Sequence, residues 1–155
     1  MALATLSGDE QCVIFVQLCN VLDPGVAVAF GSASSELRAL TQAERQQLRA
    51  DHEVATALCL KLGHQSCKEL REAKVVRWLN KGLTAADLTL LGTLGSVLPA
   101  LEELYLVEGS GSAGPDGVQQ LAEKLGVGAL PAVTTLQIDS MHMGDAGASA
   151  LTAAL

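Results

Sequence analysis

Ala27, Phe30, Ala33, Leu37 and Leu40 recur at intervals of three and four, the spacing that puts side chains on one face of a helix. Two further stripes flank it: Val13, Val16, Cys19 and Leu22 before, and Val54, Ala57, Leu58 and Leu62 after. Polar start signals set the boundaries. Ser7-Gly-Asp-Glu10 has the form of a capping box, in which Ser and Glu side chains satisfy free backbone N–H groups, and it opens a helix that runs to Val21. Asp23 is placed to cap a second helix with Pro24 as its first residue, interrupted near Gly31. Thr41-Gln-Ala-Glu44 opens a helix to Ala50, Asp51 caps the next as far as Gly63, and Ser66-Cys-Lys-Glu69 is a third box. Starts this closely spaced predict an all-helical domain over residues 1–65.

The pattern changes over residues 66–155. Pro99-Ala-Leu-Glu-Glu-Leu-Tyr-Leu106 returns 32 residues later as Pro131-Ala-Val-Thr-Thr-Leu-Gln-Ile138, with Leu101, Leu104 and Leu106 answered by Val133, Leu136 and Ile138. Leu70, Ala73 and Val75 stand in the same frame upstream. Asp87-Leu88, Gly117-Val118 and Gly147-Ala148 lie 30 apart, followed by Leu91, Leu121 and Leu151. Each unit reads as strand, loop and helix. The helices are expected from Thr84 to Val97, from Pro115 to Gly126 and from Asp145 to the last residue. A repeat of this period is the signature of stacked units that share one core. The expected fold class is therefore α/β: a short solenoid of about three such units behind an all-helical N-terminal domain.

Two resemblances follow from these residues. The L-x-x-L-x-L runs, with Met143-Gly-Asp-Ala-Gly-Ala-Ser-Ala-Leu151 as the clearest helix segment, resemble leucine-rich repeats of the ribonuclease-inhibitor type over residues 67–155. Gly109 and Met141 stand where that family carries the Asn that follows the strand. Leu22-Asp23-Pro24 with the stripe through Phe30, Ala33, Leu37 and Leu40 resembles an F-box over residues 10–40. Glu10 and Gln11 replace its usual Leu-Pro, and Leu37 its late Trp. An F-box implies docking on a Skp-type adaptor of a ubiquitin ligase, with the repeats holding substrate.

Composition narrows the function. Almost half the residues are hydrophobic but only 3% are aromatic, so the core is built from Leu, Val and Ala. No apolar run approaches the length of a membrane span. The first ten residues lack the features of a signal or transit peptide. Cytoplasm or nucleus is the default location, and an organelle follows if a targeting segment has been removed. The net charge of −7 falls entirely on residues 83–155, where Lys124 is the one basic residue against eight acidic ones. Nucleic-acid backbones need clustered Lys and Arg, which excludes them as partners for this half. A basic protein, or a large complex, is the expected partner.

No residue cluster specifies a reaction. Cys59, His64 and Cys67 lack a fourth ligand and a zinc-type spacing, and all four cysteines read as buried thiols. Gly109-Ser-Gly111 lies beside Glu108, which repels phosphate, and the Gly-Ser-Gly-Ser-Ala-Gly tract it begins is expected to be mobile. Catalytic residues, metal ligands and cofactors are expected to be absent.

The repeat frame directs three columns of side chains to one concave face: Glu72, Glu103 and Thr135; Lys74, Tyr105 and Gln137; Val76, Val107 and Asp139. Tyr105, the sole Tyr, sits centrally, and Trp78 reads as a plug between the two domains. Leu151 and Leu155 form an apolar C-terminal edge, which requires either further chain or a covering partner. The expectation is a non-enzymatic protein–protein interaction module, in its sharper form an F-box-like substrate receptor. The alternative is a structural accessory subunit of a large assembly.

Overall fold

The computed structural model describes residues 5–109 and 113–154. Leu155 and the centre of the Gly-Ser tract, with the expectations placed on them, lie outside the described residues. The chain forms two compact units, residues 1–57 and 58–155.

The expected α/β leucine-rich-repeat solenoid is not what forms. About 60% of the described residues are helical, in eight α-helices and a short 3-10 turn, and among them only one small parallel sheet of three strands forms. Five helices precede the first strand. They are α1 (Gly8–Leu18), α2 (Gly25–Gly31), α3 (Ser35–Leu40), α4 (Gln42–Lys61) and α5 (Cys67–Glu72). The remainder are β1 (Val75–Leu79), α6 (Ala85–Leu94), β2 (Glu103–Val107), α7 (Gly114–Gly126), β3 (Thr135–Asp139) and α8 (Gly144–Ala154).

Capping explains most of the starts. Ser7 and Glu10 form the expected box on α1, and Thr84 with Asp87 forms one on α6. Ser66 accepts from Glu69 N–H at the head of α5, while the Glu69 carboxylate takes the N–H of Gln65. That cap is why Leu70 to Glu72, read as part of a first strand, is helical: Cys67 and Leu70 are buried along one helical face.

The helix expected at Thr41 does begin at Gln42, but without its cap, and the start expected at Asp51 fails. Thr41 turns its hydroxyl back to the Leu37 carbonyl, 2.7 Å away, and so does not cap α4. Asp51 does not interrupt α4, because Leu48, Ala55, Leu58 and Leu62 keep one helical stripe buried through it. Gln47 donates to Asp51 one turn on, outside that stripe.

In the first unit the core gathers Phe15, Ala27 and Leu48, with Leu18, Cys19, Val21 and Phe30 against it. Of the stripe read for α1, Leu22 is buried as expected, but at Val13 and Val16 a neighbour turns inward instead. Phe15 is buried, whereas Val13 and Val16 are 60% and 58% exposed.

In the second unit β1, β2 and β3 pair in sequence order, all parallel. The register pairs Val76 with Leu104 and Leu136, and Trp78 with Leu106 and Ile138. Val76, Trp78, Leu104 and Leu106 are buried, and Leu136 and Ile138 half-buried. Helices α6, α7 and α8 pack in order, and glycines permit the approach. A Cβ at Gly117 would come within 2.8 Å of the Ala85 Cα, and one at Gly147 within 3.4 Å of the Val118 side chain. Among the described residues no helix is long and apolar enough to cross a membrane.

Candidate protein-binding face

A strand sends alternate side chains to opposite faces of its sheet. With one face of β1 and β2 closed over the core, the other carries three columns: Val75, Glu103 and Thr135; Arg77, Tyr105 and Gln137; Leu79, Val107 and Asp139. The β2 and β3 members are those expected from the repeat frame. The β1 members are not. Glu72 lies in α5, Lys74 precedes the strand, and Val76 is 2% exposed and points inward. The frame slipped because β1 and β2 stand 28 residues apart along the chain, not 31.

The missed residues are Val75, Arg77 and Leu79, and a signal for them existed. Val75-Val-Arg-Trp-Leu79 alternates, and Trp78, as the largest apolar residue, fixes which phase is inside. Trp78 is 2% exposed in β1, and its Nε1–H donates to His64 Nε2 at 3.3 Å.

Tyr105 is central in the middle column, as expected, and its neighbours hold it in place. The Arg77 guanidinium carbon lies 5.0 Å from the ring centroid, a cation–π arrangement. The phenol donates to Glu103 Oε2 at 3.0 Å. An aromatic ring thus stands between a cation and an anion, and Val75 (47% exposed) and Leu79 (53% exposed) flank it on β1. Lys74 and Glu102 pair at 3.7 Å just before the strands.

The loops that follow the strands are tied by side chains. Glu108, read as a loop charge that repels phosphate, is buried and accepts the Leu83 N–H at 3.0 Å. Asn80, at φ 51°, accepts the Gly109 N–H at 2.9 Å.

Of the suspected ligand residues, Cys59 and Cys67 are buried with their sulfurs 3.6 Å apart. Burial, then the hydrogen bond to Cys67, pushes the Cys59 thiol up to about 12. A thiol so held is a weak ligand and a weak nucleophile. Among the described residues no group of three His, Cys, Asp or Glu side chains is placed to hold a metal.

Leu151 is half-buried on α8. Nearby, Leu125, Leu130, Pro131, Val133, Leu136 and Ala154 line an open cavity of about 430 Å³ at the β3 end of the unit. No protein-family model, curated protein or solved structure matches this chain.

Proposed function

We propose that the chain is a non-enzymatic protein-interaction module that binds its partner through the open face of the three-stranded sheet. The observation that carries this reading is the Arg77–Tyr105–Glu103 cluster with Val75, Leu79 and Val107 around it. Tyr and Arg are the side chains that most often dominate binding energy, and here both are braced before a partner arrives. The excess of carboxylates in residues 83–155 favours a partner with a basic surface.

The test is quantitative affinity capture with the full chain, comparing wild type with Y105A/L79S and with Q120A, an exposed change on α7. Binding partners are expected to be lost from Y105A/L79S and retained by Q120A. Equal recovery by Y105A/L79S and wild type would refute the assignment.

A sharper form of the same reading makes the chain an F-box-like receptor, with α1 to α3 docking on a Skp-type adaptor. The exposed Val13 and Val16 on α1 and Val26 on α2, 57% exposed, favour it as an apolar docking strip. Purified adaptor is expected to bind the full chain and not V13D/V16D. No binding by the wild type at about 50 μM, a ΔG weaker than roughly −6 kcal/mol, removes this form and leaves the sheet reading standing. The alternative, a structural accessory subunit, is favoured by the half-open interior beside Leu136. A chain that stays monomeric and fully folded alone argues against it.

A further inference from the structure

Residues 1–57 contain three basic side chains of the Lys or Arg type, Arg38, Arg45 and Arg49, against seven carboxylates. All three arginines line one cavity of about 460 Å³ between α3 and α4, together with Ser35, Gln42 and Gln46. None of the three makes an ion pair among the described residues. With carboxylates in more than twofold excess, the lining of one cavity by every arginine of the segment, none in an ion pair, is the opposite of a neutralised surface.

The geometry comes from the helices. Gln42, Arg45, Gln46 and Arg49 fall at i, i+3, i+4 and i+7 of α4, one continuous face, and Arg38 on α3, seven residues before Arg45, completes the lining. Two of the arginines are anchored by neutral groups. Arg45 donates its Nε–H to Thr41 Oγ1 at 3.2 Å and a terminal N–H to the Arg38 carbonyl at 2.8 Å. Arg38 donates to the Ser32 carbonyl at 3.2 Å. Gly31 makes room for this: a Cβ there would meet Thr41 Oγ1 at 2.7 Å and Arg45 Cδ at 2.9 Å. A guanidinium carries five N–H donors, so most remain free on both, and the Arg49 side chain forms no hydrogen bond among the described residues.

We propose that Arg38, Arg45 and Arg49 form a binding site for a phosphoryl group carried on a phosphorylated peptide segment. A phosphate monoester offers three acceptor oxygens and nearly two negative charges to three guanidiniums, where a carboxylate offers one charge. The cavity is far larger than a phosphate ion, and the Ser35, Gln42 and Gln46 side chains supply the donors and acceptors that a peptide backbone needs. The site is separate from the sheet face and stands or falls independently of it.

The experiment measures binding of the full chain to four probes. They are a degenerate phosphoserine peptide pool, its unphosphorylated counterpart, inorganic phosphate, and vesicles containing a phosphoinositide. The phosphopeptide pool is expected to bind at least about tenfold tighter than the unphosphorylated pool and than inorganic phosphate. R38Q/R49Q, which leaves the contacts of the Arg45 side chain in place, is expected to reduce that binding about tenfold with an unchanged circular dichroism spectrum. Equal binding of the two peptide pools, phosphate binding as tightly as the phosphopeptides, preference for the vesicles, or an undiminished R38Q/R49Q would each overturn the proposal.

Discussion

Cys59 and Asp87 carry opposite pH signatures. The Cys59 thiol, raised by burial and by Cys67, keeps its proton in the folded chain up to about 12, whereas the unfolded chain releases it near the ordinary thiol value of 9.0. Between those values the unfolded state binds fewer protons, so stability falls as pH rises. Urea midpoints measured upward from pH 9 are expected to decline, and C59A to flatten that decline. Burial pushes Asp87 upward, but hydrogen bonds from Lys61 and Thr84 and the Lys61 charge outweigh it, and its carboxyl settles below 3.8. That contribution is present above the unfolded value and is lost as pH falls through the folded one. D87N is expected to weaken the acid-side loss and, by removing half a capping box, to cost about 1 kcal/mol at neutral pH. The Asp87 cap was legible in the sequence as Thr84-Ala-Ala-Asp87, because a capping box is a local pattern. Its ion pair with Lys61, 26 residues away, was not, because it depends on tertiary packing within the second unit.

Among the elements, α6, α7 and α8 depend on small residues at their contacts. G117A is expected to cost about 1–3 kcal/mol in chemical denaturation, since its Cβ would meet backbone and not a flexible side-chain tip. The 30-residue spacing of Gly117 and Gly147 already marked these positions. Core loss should be graded across the sheet: L104A, at a fully buried site, is expected to cost about 2–5 kcal/mol, and L136A, half-buried in β3, distinctly less. Equal losses at the two sites would contradict the half-open interior at β3. Strands β2 and β3 could be read from Leu104, Leu106, Leu136 and Ile138 because each alternates cleanly after a Pro. Strand β1 could not be placed by repeat spacing, because Ser66 nucleates α5 in the stretch that spacing assigned to strand. The solenoid expectation failed for the same reason: matching strings describe three short strands, while helix caps and helical stripes govern most of the chain.

For the whole molecule, charge separates two kinds of surface. Residues 83–155 hold eight carboxylates and one lysine, and Lys124 lays its stem across Gly92. Residues 1–57 gather their three arginines in one cavity, and their i, i+7, i+11 spacing is the helical signal that could have revealed it. The open sheet face is of neither kind: Val75 and Leu79 flank Arg77 on β1, and the cluster is braced around Tyr105. That face is the central claim, and site-specific photo-crosslinking tests it most directly. A photoreactive amino acid replaces Tyr105 in the chain expressed in its native cells, and Gln120 on α7 in a control. Discrete crosslinked adducts are predicted from position 105 and not from position 120. Absence of adducts at 105, or the same adducts from both positions, would contradict partner binding through the sheet.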